Sequence, residues 1–463
     1  SKLFLYSLFF LFFFKFFFEK LLIFFFFDFF FQKNLNFRYK NLQNLRPKVW
    51  KKPKVASAEA FGFLRLRSPT NCTYSVHEGY LNYKQCYFPQ KTDHFITGNN
   101  KQDYWNQMFY LRDLRTEFDY SKEKIVFLYV GGEVEPQSPE VLKFDFCSHY
   151  AKKIGALCIY LQHRFYGPSK PDEIQNDNVN LLSTRQALAD VNNFIVESKK
   201  SLIPKDAKVI VFGCSYSGTL AAWLRLKYPD QVQGAISTSA PLLAKSVLPD
   251  FGEHVKKTLN SIDPKCFPKI KLTLQAVMFL CSWINHGFCK DSSTIPYKIT
   301  NKLYHGQLFD TSGVKDFCQN VIGNVYNSIT SLKFEDEWME TWIYQGCNEL
   351  GWLPIMPDLG LDVQYWTNRC QNIMGQEWNL NKLDLLVDMT NKNYGGLESP
   401  KMSNVVFIHG EDDIWKSLGL SKAFNESVHI LTVKGGRHCP TLDEWHKDTI
   451  EKRLSQWIGR NDE

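Results

Sequence analysis

The segment that most restricts what this chain can become is Lys208–Pro229, KVIVFGCSYSGTLAAWLRLKYP. Lys208–Phe212 is a run of Val and Ile, the composition of a buried strand. Gly213–Gly218 is a tight, mostly small-residue string with Ser215 in its middle. Thr219–Tyr228 is built of helix formers, and Pro229 stops the helix. Strand, sharp turn and helix leave Ser215 at the bend, clear of the sheet. The helix N-terminus behind it offers backbone N–H groups to a developing oxyanion. The last position of the G-x-S-x-G pattern is occupied by Ser217. A small residue is needed there because strand and helix backbones come close. A serine in an ordinary strand–helix turn is the competing reading of so short a pattern.

The surrounding pattern narrows the choice. Lys124–Val130 (KIVFLYV) is a continuous apolar run that ends in Gly131-Gly132-Glu133, a backbone able to bend in close to a ligand. Ala156–Leu161 reads as a further strand and runs into Gln162-His163-Arg164-Phe165-Tyr166-Gly167. Leu182–Val196 has apolar residues at helical spacing behind a Ser/Thr cap. Tyr104–Leu111 and Gly234–Ser239 also have strand composition. Alternating strands and helices imply a parallel sheet covered by helices on its faces. From about Lys245 to Ser399 the chain is mostly amphipathic and helix-like, and it holds six cysteines, at 266, 281, 289, 318, 347 and 370. Asn404–His409 and Val428–Val433 resume the buried-strand pattern, and Asp443–Ile458 reads as an amphipathic closing helix. The expected organisation is a core of residues 70–244 and 400–463, split by a disulfide-bearing helical cap over 245–399. A lid of this kind suits gating of a site at strand ends.

A serine nucleophile needs a base and a carboxylate to orient that base. In α/β-hydrolases the chain order is Ser, then acid, then His, each on a loop after a strand. NVVFIH is followed by Gly410-Glu411-Asp412-Asp413, and VHILTV by Lys434-Gly435-Gly436-Arg437-His438. His438 is therefore the expected base. Glu411, Asp412 and Asp413 are three acids on one loop, and spacing alone leaves the choice open. His163, His409 and His446 are worse placed.

Composition excludes some alternatives. A length of 463 residues suggests two to three domains, and 44% hydrophobic residues can bury a sizeable core. The net charge of +7 comes without a basic stripe interleaved with aromatics, so nucleic acid is not an expected partner. None of the twelve cysteines sits in a C-x-x-C pair, and no Cys/His cluster has zinc spacing. Neither a metal nor another cofactor is expected. Asn71 and Asn425 open glycosylation sequons, which with the scattered cysteines favour the secretory pathway.

Residues 1–58 stand apart. Sixteen of the first 31 are Phe, interrupted by Lys15, Glu19, Lys20 and Asp28. Leu3–Phe14 can serve as the apolar stretch of a signal peptide, typically about 7–15 residues, yet no cleavage site follows. We read residues 1–46 as a degenerate or mis-annotated targeting region, with a signal anchor and a translated non-coding stretch as alternatives. Residues 34–58 look like linker or pro-segment. No stable membrane partner is expected unless that segment is a retained anchor.

Taken together, these residues resemble a family: the serine peptidases that include lysosomal prolylcarboxypeptidase, dipeptidyl peptidase II and thymus-specific serine protease. Its elbow, G-G-S-Y-x-G-x-L-A-A-W-x-R-x-K-Y-P, is matched by Gly213–Pro229. Its D-H-F is matched by Asp93–Phe95, its G-G-E by Gly131–Glu133, and its E-H-R-[YF]-Y-G-x-S by Gln162–Ser169. Q-A-L-A-D is matched by Gln186–Asp190, W-x-Y-Q-x-C-x-E-x-G by Trp342–Gly351, and N-x-x-Y-G-G by Asn391–Gly396. N-G-x-x-D-P-W is matched by His409–Trp415, and the final H-C by His438-Cys439. The resemblance spans roughly residues 80–460.

It implies an α/β-hydrolase core with a helical, disulfide-bearing cap, and it singles out Asp413 as the acid. It implies exopeptidase cleavage of peptides, commonly next to proline, in lysosomes or outside the cell. Ser215, Asp413 and His438 would form the triad, with the Tyr216 and Gly132 backbones as oxyanion donors. Glu133 could meet a free N-terminal amine and Arg164 a free carboxylate, with structural salt bridges as the alternative for both. A Cys347–Cys370 bridge is the preferred pairing. Peptides are the expected partners, and the sequence leaves the oligomeric state open, a homodimer included. Cys214, Ser217, Gln162, His409 and Ile414 depart from the family pattern. Loss of the proline at Ile414 would loosen the loop of Asp413. The rival readings are an esterase or lipase on the same fold, and a secreted binding protein on an inactive scaffold.

Overall fold

The structure is a computed structural model. It describes residues 71–74, 83–96, 103–112, 124–133, 149–171, 179–283, 295–297, 318–319, 321, 335–442 and 444–459. The Phe-rich segment and the linker of residues 1–58 lie outside the described residues, as do Cys289 and the side chains of Asn71 and Cys281.

Runs of Val, Ile, Leu and Phe are expected to become strands with both faces covered, and they do. The central sheet has nine strands: β1 (Asn71–Tyr74), β2 (Tyr83–Lys91), β3 (Tyr104–Arg112), β4 (Ile125–Val130), β5 (Leu157–Leu161), β6 (Lys208–Cys214), β7 (Gly234–Thr238), and then, after an inserted stretch, β10 (Val405–Gly410) and β11 (Val428–Val433). Their spatial order is β1-β2-β3-β5-β4-β6-β7-β10-β11. From β5 to β11 all neighbours are parallel, while β1, β2 and β3 form an antiparallel flank. Within β2, Pro89 pairs with Asn106 of β3 at a point beyond the reach of β1, which stops at Tyr87, so no ladder bond to β1 is lost there.

Strand alternation divides the core between two faces. Val126, Leu128, Val209, Val211, Val405 and Phe407 join the larger cluster. Ile125, Phe127, Ile210, Phe212, Val406 and Ile408 join the cluster on the other face. Helices α1 (Thr184–Ser198) and α2 (Tyr216–Lys227) supply residues to the first. The closing helix, α8 (Glu444–Ile458), packs Ile450, Leu454 and Ile458 against the second. Helix α1 begins where its cap signal stands: the Ser183 side chain accepts from the Gln186 N–H.

Between β7 and β10 lie helices α3 (Phe251–Ile262), α4 (Cys266–Trp283), α5 (Glu335–Gln345), α6 (Val363–Met374) and α7 (Leu380–Tyr394). Asp362 and Asn379 cap α6 and α7 with their side chains, and α7 ends at Gly395 in the left-handed region. The stretch also contains a parallel strand pair that the helix-like sequence did not announce: β8 (Lys245–Leu248) with β9 (Gly351–Pro354). Disulfides Cys266–Cys318 and Cys347–Cys370 brace it. Trp223 of α2 stacks on Tyr394 of α7 with centroids 4.1 Å apart, joining the insertion to the sheet layer. The architecture is an α/β-hydrolase sheet with an inserted helical, disulfide-bearing segment.

The chain runs from β4 to β5 on one side, then to β6 on the other side of β4. That reversal is a topological switch point, where the carboxyl ends of parallel strands leave a crevice. β4, β6, β10 and β11 all deliver their following loops to that same edge, because they run parallel.

Candidate active site

Ser215 sits between β6 and α2 with φ 63° and ψ −134°. A non-glycine residue in this region is strained, and such strain persists only where the surroundings enforce it. The Ser215 N–H donates to the Thr238 carbonyl at 3.0 Å, and the Ser215 carbonyl accepts from the Thr219 N–H at 3.0 Å. Although Ser215 occupies the N-cap position, its side chain caps nothing. A Cβ on Gly213 would lie 2.1 Å from the Ser217 carbonyl oxygen, and one on Gly218 would lie 2.6 Å from that of Thr238. The tight approaches therefore fall on those two glycines. Ser217 itself fits, and its hydroxyl donates to the Val130 carbonyl at the end of β4.

His438 lies on the loop after β11, with its Nδ1 at 3.0 Å from each Asp413 oxygen. Both residues are buried, at 5% exposure. Burial by itself would push the Asp413 carboxyl up, but the charge and hydrogen bond of His438 oppose it. With bonds from Ser239 and the Trp415 N–H, they hold the carboxyl below its ordinary value. An ionised aspartate facing Nδ1 fixes which imidazole nitrogen keeps its proton. Of the three acids on the β10 loop, Glu411 and Asp412 are exposed and Asp413 is buried. Glu411 instead accepts from the Gly435 N–H at 2.8 Å. Asp413 also caps the short turn Ile414–Leu418, and the Asp412 N–H donates to the Gly436 carbonyl at 2.8 Å. These bonds hold the loop where the family pattern has a proline.

A disulfide between Cys214 and Cys439 joins the residue before Ser215 to the residue after His438, with Cα atoms 5.9 Å apart. It places the two candidate groups side by side across 225 residues of sequence. The sequence contains both cysteines but offers no sign that they pair. Ser239 was likewise missed. It follows β7 with φ 48°, and its hydroxyl serves both Asp413 and the Cys439 N–H, the latter at 2.9 Å.

Glu133, after β4, is buried at 6% exposure, and its carboxylate is hydrogen-bonded by Ser215. Burial pushes its carboxyl up, against the opposing effects of hydrogen bonds and His438. The Gly131 N–H is spent on the Leu161 carbonyl at 2.8 Å. A Cβ on Gly132 would meet Ser217 at 3.0 Å, so the β4 loop lies directly against the elbow.

The inserted stretch reaches the site through Tyr216. Its hydroxyl accepts from Gln345 Nε2 at 2.9 Å and lies 3.1 Å from Thr184 Oγ1. Glu349 Oε1 accepts from the N–H and the hydroxyl of Thr184, both at 2.8 Å. Burial raises the Glu349 carboxyl to about 7 despite those bonds. A row of rings runs from Tyr216 through Trp342, Trp352 and Trp415 to His438, with successive centroids 5.4–6.4 Å apart. The Trp342–Gly351 and His409–Trp415 motifs thus meet beside Ser215.

Arg164 does not belong to this constellation, which corrects the expectation that it meets a substrate carboxylate. It is 0% exposed, and all five of its N–H groups are used. Nε and one Nη2 hydrogen go to Asp190, and the rest to the carbonyls of Lys91, Thr92 and Leu181. The other histidines weighed as bases, His163, His409 and His446, are also tied up in structure. His163 bonds the Arg164 carbonyl, and burial lowers its pKa to about 4. His409 bonds the Leu420 carbonyl and His446 the Thr432 carbonyl. Gln162, buried, accepts from the Ser169 N–H. Asn425 is exposed in the turn before β11. Among the described residues no group of His, Cys, Asp and Glu could hold a metal ion.

Comparison with known proteins follows this geometry. The family described as serine carboxypeptidase S28 matches residues 90–287 and 274–454. The lysosomal Pro-X carboxypeptidase of Homo sapiens is 27% identical over 454 residues, covering 82% of this chain and 86% of that protein. The thymus-specific serine protease of Homo sapiens is 24% identical over 394 residues, covering 68% of this chain and 74% of that protein.

Proposed function

The chain belongs to the serine carboxypeptidase S28 family and is a serine-type peptidase; from that premise we propose that it removes residues from a peptide end next to proline, using Ser215, His438 and Asp413. The observation that carries the residue assignment is the buried Asp413–His438 pair beside a serine held at positive φ. Ser215 attacks the scissile carbonyl while His438 takes its proton. Asp413 keeps the imidazole in the right tautomer and stabilises the imidazolium. The Tyr216 N–H, at the start of α2, and an N–H of the β4 loop receive the oxyanion. Since the Gly131 N–H is committed to Leu161, the loop donor is Gly132. His438 then protonates the leaving amine, and water clears the acyl-enzyme.

The row of Trp342, Trp352 and Trp415 supports an apolar, rigid residue such as proline beside the scissile bond. The inserted stretch, residues 245–399, acts as a lid over a core of 70–244 and 400–463. The disulfides and the lysosomal relative support residence in lysosomes or outside the cell. Recovery in cytosolic fractions alone would refute that location.

The test is mass spectrometry of the products from a short proline-containing peptide with both ends free. Release of one C-terminal residue after proline marks a Pro-X carboxypeptidase, and release of an N-terminal dipeptide marks a dipeptidyl peptidase. Ser215→Ala is expected to lower turnover about 10⁴–10⁶-fold. Cleavage by that variant at the wild-type rate sinks the assignment. Hydrolysis of p-nitrophenyl esters with no peptide cleavage sinks the substrate class.

A further inference from the structure

Among the described residues, the Cys214–Cys439 disulfide differs from the other bridged cysteines in two respects. The first is position. Cys214 ends β6 immediately before Ser215, and Cys439 immediately follows His438. The second is exposure. Cys439 is exposed and Cys214 half-buried. Cys86, Cys158, Cys266, Cys318, Cys347 and Cys370, all disulfide-bonded, are 0–1% exposed.

Two hydrogen bonds fasten the histidine loop to one side of the crevice. Nδ1 of His438 bonds Asp413 after β10, and the Cys439 N–H bonds Ser239 after β7. The disulfide adds the tie to β6, the strand that carries Ser215. Both flanks of the bridge hold strained backbone: Ser215 at φ 63° and Cys439 at φ 53°. Conformations of this kind persist only where neighbouring structure enforces them. Rates of nucleophilic attack also fall steeply with small misplacements, about 10²-fold for 1 Å.

We propose that the Cys214–Cys439 disulfide is a positioning brace that holds Ser215 against His438, and that it is a thiol–disulfide exchange site open to small thiols. The inference rests on the assignment of Ser215 and His438 given above. In the exchange, a thiolate such as that of glutathione attacks the sulfur of Cys439, the exposed residue of the pair, and the Cys214–Cys439 bond breaks. Cys214 leaves as a thiolate and takes a proton. A second thiol displaces Cys439 from the mixed disulfide. Two electrons pass to the bridge, and the small thiol becomes its own disulfide. The hydrogen bonds from His438 and Cys439 remain, so the expected result is an uncoupled site within a folded chain.

Two experiments test this on the full chain. Cys214→Ala, Cys439→Ala and the double variant are each expected to lower kcat about 10–100-fold, with KM within about twofold of wild type. The three losses should be equal, because one bond is removed in each case. The rate of fluorophosphonate labelling at Ser215 should fall in the same proportion. A merely structural bridge would lower the melting temperature and leave kcat and the labelling rate unchanged well below it. A folded double variant with wild-type turnover overturns the brace.

Should the variants not fold, folded wild-type enzyme is titrated with reduced glutathione, alkylated and peptide-mapped. Loss of activity should track alkylation of Cys214 and Cys439, with Cys266–Cys318 and Cys347–Cys370 intact, and in a reduced aliquot that is not alkylated it should reverse with oxidised glutathione. Full activity with Cys214 and Cys439 alkylated overturns the proposal. Wild-type labelling at Ser215, absent in Ser215→Ala, tests the residue assignment separately, and its failure overturns both.

Discussion

At the scale of single residues, the elbow depends on where backbones touch. The sequence places Ser217 where the common pattern has glycine, which reads as a strained substitution. In the structure the close contacts fall at Gly213 and Gly218, and Ser217 gains a hydrogen bond to Val130. The two kinds of position should therefore respond unequally to change. Gly213→Ala would drive a methyl group into the Ser217 backbone, and a cost of about 3 kcal/mol is expected. Ser217→Gly loses one buried hydrogen bond and should cost about 1 kcal/mol. Urea unfolding followed by tryptophan fluorescence measures both; equal costs would show that the elbow is not gripped at Gly213.

At the scale of elements, the site is a meeting of strand ends with the start of α2 and the turn after α5. Glu349 links them by accepting twice from Thr184 at the start of α1, close to the Tyr216 hydroxyl. Its carboxyl rises from the ordinary 4.5 to about 7 on folding, so the folded chain holds that proton more tightly than the unfolded chain does. The stability contributed is complete below pH 4.5 and is lost as pH rises to about 7. Thermal melts across that interval should show wild type losing more stability than Glu349→Gln, by about 2–4 °C. Parallel curves for the two proteins would count against the shift. The direction matches an enzyme that works in an acidic compartment.

At the scale of the whole molecule, several recognisable motifs turn out to build the frame. Asp93-His94-Phe95, Gln162–Ser169 and Gln186–Asp190 converge on one buried node. Asp190 accepts from His94 at 2.7 Å and twice from Arg164 at 2.6 Å, while Asp93 accepts from Gln186. This node pins β2, the loop after β5 and α1 to one another, behind the strand edge that carries Ser215. Asp190→Ala would leave the Arg164 guanidinium buried without its counter-charge, at an expected cost of about 3–5 kcal/mol. A calorimetric scan of the variant checks this; an unchanged transition would mean that the node carries no load.

By itself the sequence determined the alternation of apolar strands and helices, the order of Ser215, an acid of the Glu411–Asp413 loop and His438, and the cap that starts α1. These depend on near neighbours in the chain or on a spacing that survives folding. It left Glu411, Asp412 and Asp413 unseparated on physical grounds, because burial of one acid among three is a property of packing. It suggested a binding role for Arg164 because a loop arginine after a strand looks free until its four partner residues, from three distant segments, are assembled around it. The pairing of Cys214 with Cys439 was equally hidden. Two cysteines 225 residues apart become neighbours only when β6 and β11 are laid into the same sheet with their carboxyl ends together. Tertiary structure alone brings the serine and the histidine to one edge and closes that edge with a covalent bond.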